Sequence, residues 1–168
     1  MKHNIVRINK IVLNNFKNVK KGIVEMPAYS GKELFSEKAD VLGLYGQNGS
    51  GKTSVVEALR FVKTLLSGEK LPADAKEYIA QGEEECEIDV SFSVAEEVQK
   101  ETVNYSVALK KDADGFVISH ERMTVVPRKE NIRAVESTLI DYQYDNEDVT
   151  FAPEYRYKKL VANDKKVR

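Results

Sequence analysis

Eight consecutive residues, Gly46-Gln47-Asn48-Gly49-Ser50-Gly51-Lys52-Thr53, constrain this chain more than any other feature. They satisfy G-x-x-x-x-G-K-[ST] at every fixed position. The three glycines let the backbone turn sharply and approach an anion without Cβ clashes. The N–H groups of such a loop, followed by a helix N-terminus, form a nest for phosphate oxygens. Lys52 is spaced to reach β- and γ-phosphates as a point charge, and Thr53 to bring its hydroxyl to Mg²⁺. The expected ligand is therefore a nucleoside triphosphate, ATP with Mg²⁺, held by Gly46 through Ser54.

A motif of this kind carries more weight between a strand and a helix. Asp40 to Tyr45 is a short apolar run leading into the glycines and reads as a buried strand. After Gly51, apolar residues at Val55, Val56, Leu59, Phe61, Val62, Leu65 and Leu66 recur at helical spacing, with Gly68 as a stop. The spacing predicts a helix over 51–67. This context favours a bound phosphate over a glycine-rich turn without a ligand.

Elsewhere the periodicity is that of strands. Ile5 to Phe16 alternates and is rich in β-branched residues, predicting a strand that ends near Asn14-Asn15. Lys20-Lys21-Gly22 reads as a hairpin turn into a second strand, Ile23 to Met26, and Pro27 with Ser30-Gly31 opens a polar loop. Pro72 to Gln81 suits a short helix. Cys86, Ile88, Val90, Phe92 and Val94 share one face of a strand, and Val103 to Leu109 alternates again. The Asp112-Ala113-Asp114-Gly115 turn leads into a strand over Phe116 to Val126, giving an antiparallel meander. Residues 128–138 read as helical, and Ile140 to Phe151 is mixed and polar.

With 168 residues, 42% apolar and 32% charged, the chain has the length and composition of one globular domain. A net charge of −1 excludes a strongly basic nucleic-acid arm but not a local patch. One cysteine, Cys86, permits no internal disulfide and no multi-cysteine metal site, and His3 and His120 lie far apart in sequence. A reducing setting fits. No apolar run approaches the roughly 20 residues that span a bilayer, and the N-terminus lacks the apolar core of a signal peptide. The expectation is a cytoplasmic protein without a membrane segment.

Hydrolysis asks for more than a phosphate loop: a second acidic Mg²⁺ ligand at a strand end, and a group that orients water. Leu139-Ile140-Asp141 is the nearest run, but Ser137-Thr138 precede it and Tyr142 follows, so it reads as an ordinary strand edge. Leu66-Ser67-Gly68-Glu69 resembles a signature sequence yet lies at the end of the helix that follows the loop, where a C-cap is the simpler reading. His120 reads as a partly exposed strand histidine, Cys86 as a small core residue, and Glu83-Glu84-Glu85 as a solvated run. Lys158, Lys159, Lys165, Lys166 and Arg168 could touch DNA, though no aromatic platform accompanies them.

The residues INKIVLNNFKNVKKGIVEM and VLGLYGQNGSGKTSVVEALRFV together resemble the N-terminal start of ABC-type ATPase heads. Such heads occur in SMC and RecF chromosome-maintenance proteins and in phage-defence ATPases of the abortive-infection and OLD type. The stretch YIAQGEEECEIDVSFSV is similar to a later strand of those heads, so the resemblance covers about residues 5–126. It implies an α/β P-loop NTPase fold, an ABC-ATPase-like N-terminal lobe with an antiparallel β-meander beside the core sheet. It implies that Gln47 and Asn48 wrap the phosphates and that Lys17 lies near the nucleotide. It also implies a glutamine that senses the γ-phosphate through the metal; Gln143 is the candidate, beside Thr53 as metal ligand.

In such heads the signature, the acidic strand and the switch histidine lie in a second half. The expectation is therefore that residues 1–168 form one nucleotide-binding lobe of a longer ATPase. The full protein would work as a head-to-head dimer with ATP between heads, linked to DNA maintenance or to a defence effector. Two other classes stay open: a GTP-dependent switch, which would need an N/T-K-x-D motif the chain lacks, and an interaction module with a vestigial loop, which intact Lys52 and Thr53 oppose.

Overall fold

The computed structural model describes residues 5–27, 41–72, 74–96, 99–113, 115–128, 134–144 and 149–151. Its elements in chain order are β1 (Ile5–Phe16), β2 (Val19–Glu25), α1 (Lys52–Leu66), a 3₁₀ turn (Ala75–Tyr78), β3 (Glu85–Glu96), β4 (Gln99–Asp112), β5 (Gly115–Pro127), β6 (Ser137–Gln143) and β7 (Val149–Phe151). The strands form one sheet in the order β2-β1-β3-β4-β5-β6-β7, every neighbouring pair antiparallel. Only the β1–β3 step departs from sequence order, because β2, the glycine loop and α1 intervene between them.

Strand alternation decides which face is covered. Ile11, Leu13 and Phe16 of β1, Cys86, Ile88 and Val90 of β3, and Tyr105, Val107 and Leu109 of β4 are buried together. α1 lays Ala58, Phe61 and Val62 on this face. Ala58 is wholly buried, so the helix backbone comes close to the sheet there. Phe16, Tyr78 and Phe61 lock the corner: Phe16 stacks on Tyr78 at 5.3 Å, and Phe61 meets the same ring edge-on at 5.5 Å. Cys86 lies deep in this layer, and burial pushes its thiol up to about 12, so it stays protonated and inert. The buried phenol of Tyr105 donates to Glu121 Oε1 at 2.6 Å, and burial with that carboxylate raises it well above its ordinary value.

The opposite face is polar. Register places Asn14, Glu87, Ser106, Arg122 and Asp141 across it from strand to strand. Asn14 donates to Glu87 at 3.0 Å, and His120 lies 3.7 Å from Asp141. Partial burial raises the Asp89 carboxyl above its usual range, against a hydrogen bond from Ser106 that lowers it.

Several expectations need correction. The run through Tyr45 is no buried strand: residues 41–47 carry no regular structure, and Val41 and Tyr45 are 89% and 95% exposed. A strand exists by pairing, and this segment pairs with none of the seven; Asp40 lies outside the described residues. There is accordingly one antiparallel sheet among the described residues, not a meander beside a separate core sheet. The β1–β2 turn falls at Lys17-Asn18, so that Lys20-Lys21-Gly22 lies within β2. The helix expected over Pro72 to Gln81 shortens to the Ala75–Tyr78 turn. The helix expected at 128–138 meets strand β6 at Ser137 and Thr138, which pair with Val125 and Thr124; residues 129–133 lie outside the described ones, as does the basic tail with its lysines.

Candidate functional site

The glycine loop precedes α1 at the helix's N-terminal end. Gly51 is the N-cap, in the left-handed region at φ 86°, and no side chain caps the helix. No acidic residue stands in the first turn. The first-turn N–H groups and the positive end of the helix dipole are thus unopposed, which suits an anion. Gly49 is also left-handed, at φ 82°. Residues 46–50 and Thr53 are solvent-exposed, whereas Gly51 and Ser54 are buried.

Lys52 folds over its own loop. Its ammonium donates to Gly46 O at 2.7 Å, Gln47 O at 2.6 Å and Ser50 Oγ at 3.1 Å. A cation already turned into the ring can exchange neutral carbonyls for charged phosphate oxygens, which are stronger acceptors. The Thr53 hydroxyl, in the exposed first turn, suits a Mg²⁺ that also binds phosphate oxygens. Among the described residues no cluster of His, Cys, Asp and Glu could hold a metal by itself.

The β1–β2 turn packs against this loop. Lys17, in the left-handed region at φ 52°, ion-pairs with Glu57 of α1 at 2.6 Å and lies over the Tyr78 ring at 5.5 Å. Asn18 donates its side-chain N–H to Gly49 O and accepts from Ser54 Oγ at 2.7 Å. The next residue, Val19, leaves no room at Gly51: a Cβ there would lie 2.5 Å from Val19 Cγ2. Gly51→Ala should therefore lose nucleotide affinity and at least about 1–2 kcal/mol of stability, the cost of a left-handed non-glycine residue alone. Nucleotide titration and urea unfolding of the same variant check both.

Not every expected site residue converges. Gly46 to Ser54 do, although the Ser54 hydroxyl is committed to Asn18. Lys17 is beside α1, but its ammonium is engaged by Glu57. Gln143 is distant: it ends β6, which β3, β4 and β5 separate from β1. Four strand spacings amount to about 19 Å. Gln143 and Asp141 also alternate onto the face away from α1, since Gln143 pairs with His120 and Asp141 with Arg122. Asn18 is the contact residue that motif reading misses. Its only sequence sign is an asparagine in a two-residue connection, where such side chains commonly bond nearby backbone.

Two cavities bear on the site differently. One of about 270 Å³ opens beside the loop, with Lys52 and Ser50 at its polar end and Val19, Ile23, Leu44 and Val55 along its walls. A larger one, about 520 Å³, lies on the polar face between Lys10, Asp89, Asn104 and Arg122, and includes none of the loop.

The family model of the AbiEii toxin-type AAA domain, Type IV TA system, matches residues 41–163. The chain belongs to this family. The match begins just ahead of the glycine loop, spans α1 and the meander, and covers well over half the chain. The AAA domain is a nucleotide-binding ATPase type, which agrees with the anion nest at α1 and with the abortive-infection side of the sequence resemblance. No curated protein matches the chain. No helix among the described residues is long and apolar enough to cross a membrane.

Proposed function

We propose that this chain is a P-loop nucleotide-binding lobe that grips the triphosphate of ATP, with Mg²⁺, between the Gly46–Thr53 loop and the N-terminus of α1. The observation that carries the reading is the exposed glycine loop at an uncapped helix N-terminus, with the Lys52 ammonium turned into it. Gly49, Ser50 and Gly51 would present backbone N–H groups to β-phosphate oxygens, and Lys52 would bridge to the γ-phosphate. Thr53 would hold Mg²⁺, whose charge offsets the phosphate repulsion. The apolar cleft beside the loop offers a desolvated surface to the rest of the nucleotide.

The family description favours a toxin–antitoxin or phage-defence role over chromosome maintenance. In this reading the lobe pairs head to head with a second copy, and ATP-driven closure drives an effector. A cytoplasmic location follows from the same reading.

Lys52→Ala tests the binding. Charge-assisted contacts of this kind contribute about 1.5–3 kcal/mol each, so affinity for Mg-ATP should fall roughly 10- to 150-fold. Calorimetry on the folded variant measures it. Equal affinity in variant and wild type would end the assignment.

A further inference from the structure

We propose that Asn18 is a positioning residue for the phosphate loop, and that the β1–β2 turn sets the loop's shape before nucleotide arrives. This rests on the phosphate-binding reading above. The Gly49 carbonyl can only accept, so the Asn18 amide must face it with its N–H₂ and turn its oxygen to Ser54. Ser54 then donates from the first turn of α1. One side chain thus clamps the middle of the loop to the start of the helix. Aspartate cannot donate, serine cannot span both partners, and alanine offers neither group.

The clamp acts on the ligand through a peptide plane. In a trans peptide the C=O and the following N–H point in opposite directions. Holding the Gly49 carbonyl toward Asn18 therefore aims the Ser50 N–H away from the turn and into the loop. There it rests 3.3 Å from Gln47 O, a long bond that a phosphate oxygen can replace. The neighbours of Asn18 fix the turn itself. Lys17 is tied to Glu57 by its side chain and to Tyr78 O by its N–H at 2.7 Å, and Val19 abuts Gly51. A lysine held in the left-handed region by these contacts marks a turn whose position is over-determined.

The test is calorimetric titration of the full chain with Mg-ATP, comparing wild type with Lys52→Ala, Asn18→Ala, Asn18→Asp, Ser54→Ala and the Asn18→Ala/Ser54→Ala double variant. Asn18→Ala should weaken binding about 3- to 10-fold, the range of a neutral hydrogen bond. Asn18→Asp should weaken it further, because a carboxylate would face the Gly49 carbonyl beside the incoming phosphates. The double variant should lose no more than Asn18→Ala, since both substitutions break one clamp. A purely structural role would not produce one further signature. Protonation of the carboxylate introduced by Asn18→Asp restores a donor, so the affinity ratio of that variant to wild type should recover as pH falls from about 7 to about 4. If the Asn18 variants fail to fold, Ser54→Ala carries the test, because it breaks the clamp from the helix side and leaves the turn intact. Wild-type affinity in the folded Asn18 variants, or in Ser54→Ala, alongside a loss in Lys52→Ala, would overturn the positioning role while leaving the phosphate site standing. Equal binding by wild type and Lys52→Ala would overturn both.

Discussion

Phe16→Ala should lower the unfolding free energy by about 3–5 kcal/mol, the usual cost of emptying a buried phenylalanine site. Phe16 has no exposed surface, and its ring stacks on Tyr78, which in turn meets Phe61 of α1. A domain's whole stability is about 5–15 kcal/mol, so the loss is a large share of it. The midpoint should drop by roughly 6–20 °C in a chain of this size. Phe16→Leu keeps most of the volume and should cost less than half as much. Thermal unfolding of the pair decides the matter; equal midpoints for Phe16→Ala and wild type would show that the corner is not a stabilising centre. The site should suffer as well, because Phe16 immediately precedes the Lys17-Asn18 turn that braces the glycine loop.

This coupling explains what a sequence reader can and cannot see. The strand Ile5–Phe16 was legible almost to the residue from its alternation and β-branched residues, and Gly115–Pro127 from the turn residues ahead of it. The helix was legible from its apolar spacing and Gly68, whose φ of 66° ends it. Apolar content alone misled at Val41 to Tyr45. A buried parallel strand and an unpaired apolar segment have the same composition, and only neighbours in space distinguish them. The turn was misplaced for a related reason. Lys20-Lys21-Gly22 has turn-like residues, whereas Lys17 takes the left-handed conformation because of Glu57, forty positions away.

The candidate site divides along the same line. Gly46 to Thr53 announce themselves because the fixed positions Gly46, Gly51, Lys52 and Thr53 are demanded by local geometry and chemistry. Asn18 does not, because its role arises from a tertiary contact. Gln143 shows the reverse case. The family resemblance and its place after the meander suggest a γ-phosphate sensor, but strand order sets β6 about 19 Å from β1, and Asp141, which reads as an ordinary strand edge, lies on that same strand.

That separation leads to the largest expected effect: this chain by itself should hydrolyse ATP negligibly. Phosphoryl transfer is catalysed almost wholly by positioning and electrostatics, so each absent part costs orders of magnitude. Lys52 and Thr53 supply one side of that machinery. The first acid after the loop, Glu57, is bound to Lys17 at 2.6 Å, and Asp141 is beside His120 on the far face. Neither of these carboxylates is thus placed to share the metal with Thr53 or to orient water. If a second copy completes the site, phosphate release should rise more than linearly with protein concentration. If residues of another chain or segment complete it, adding protein alone should leave the specific rate flat and near zero. A steady-state phosphate-release assay across protein concentrations separates these cases. Turnover near about 1 s⁻¹ at all concentrations, abolished by Lys52→Ala, would show instead that a single copy carries the missing acid, and Glu57 released from Lys17 would be the first residue to test.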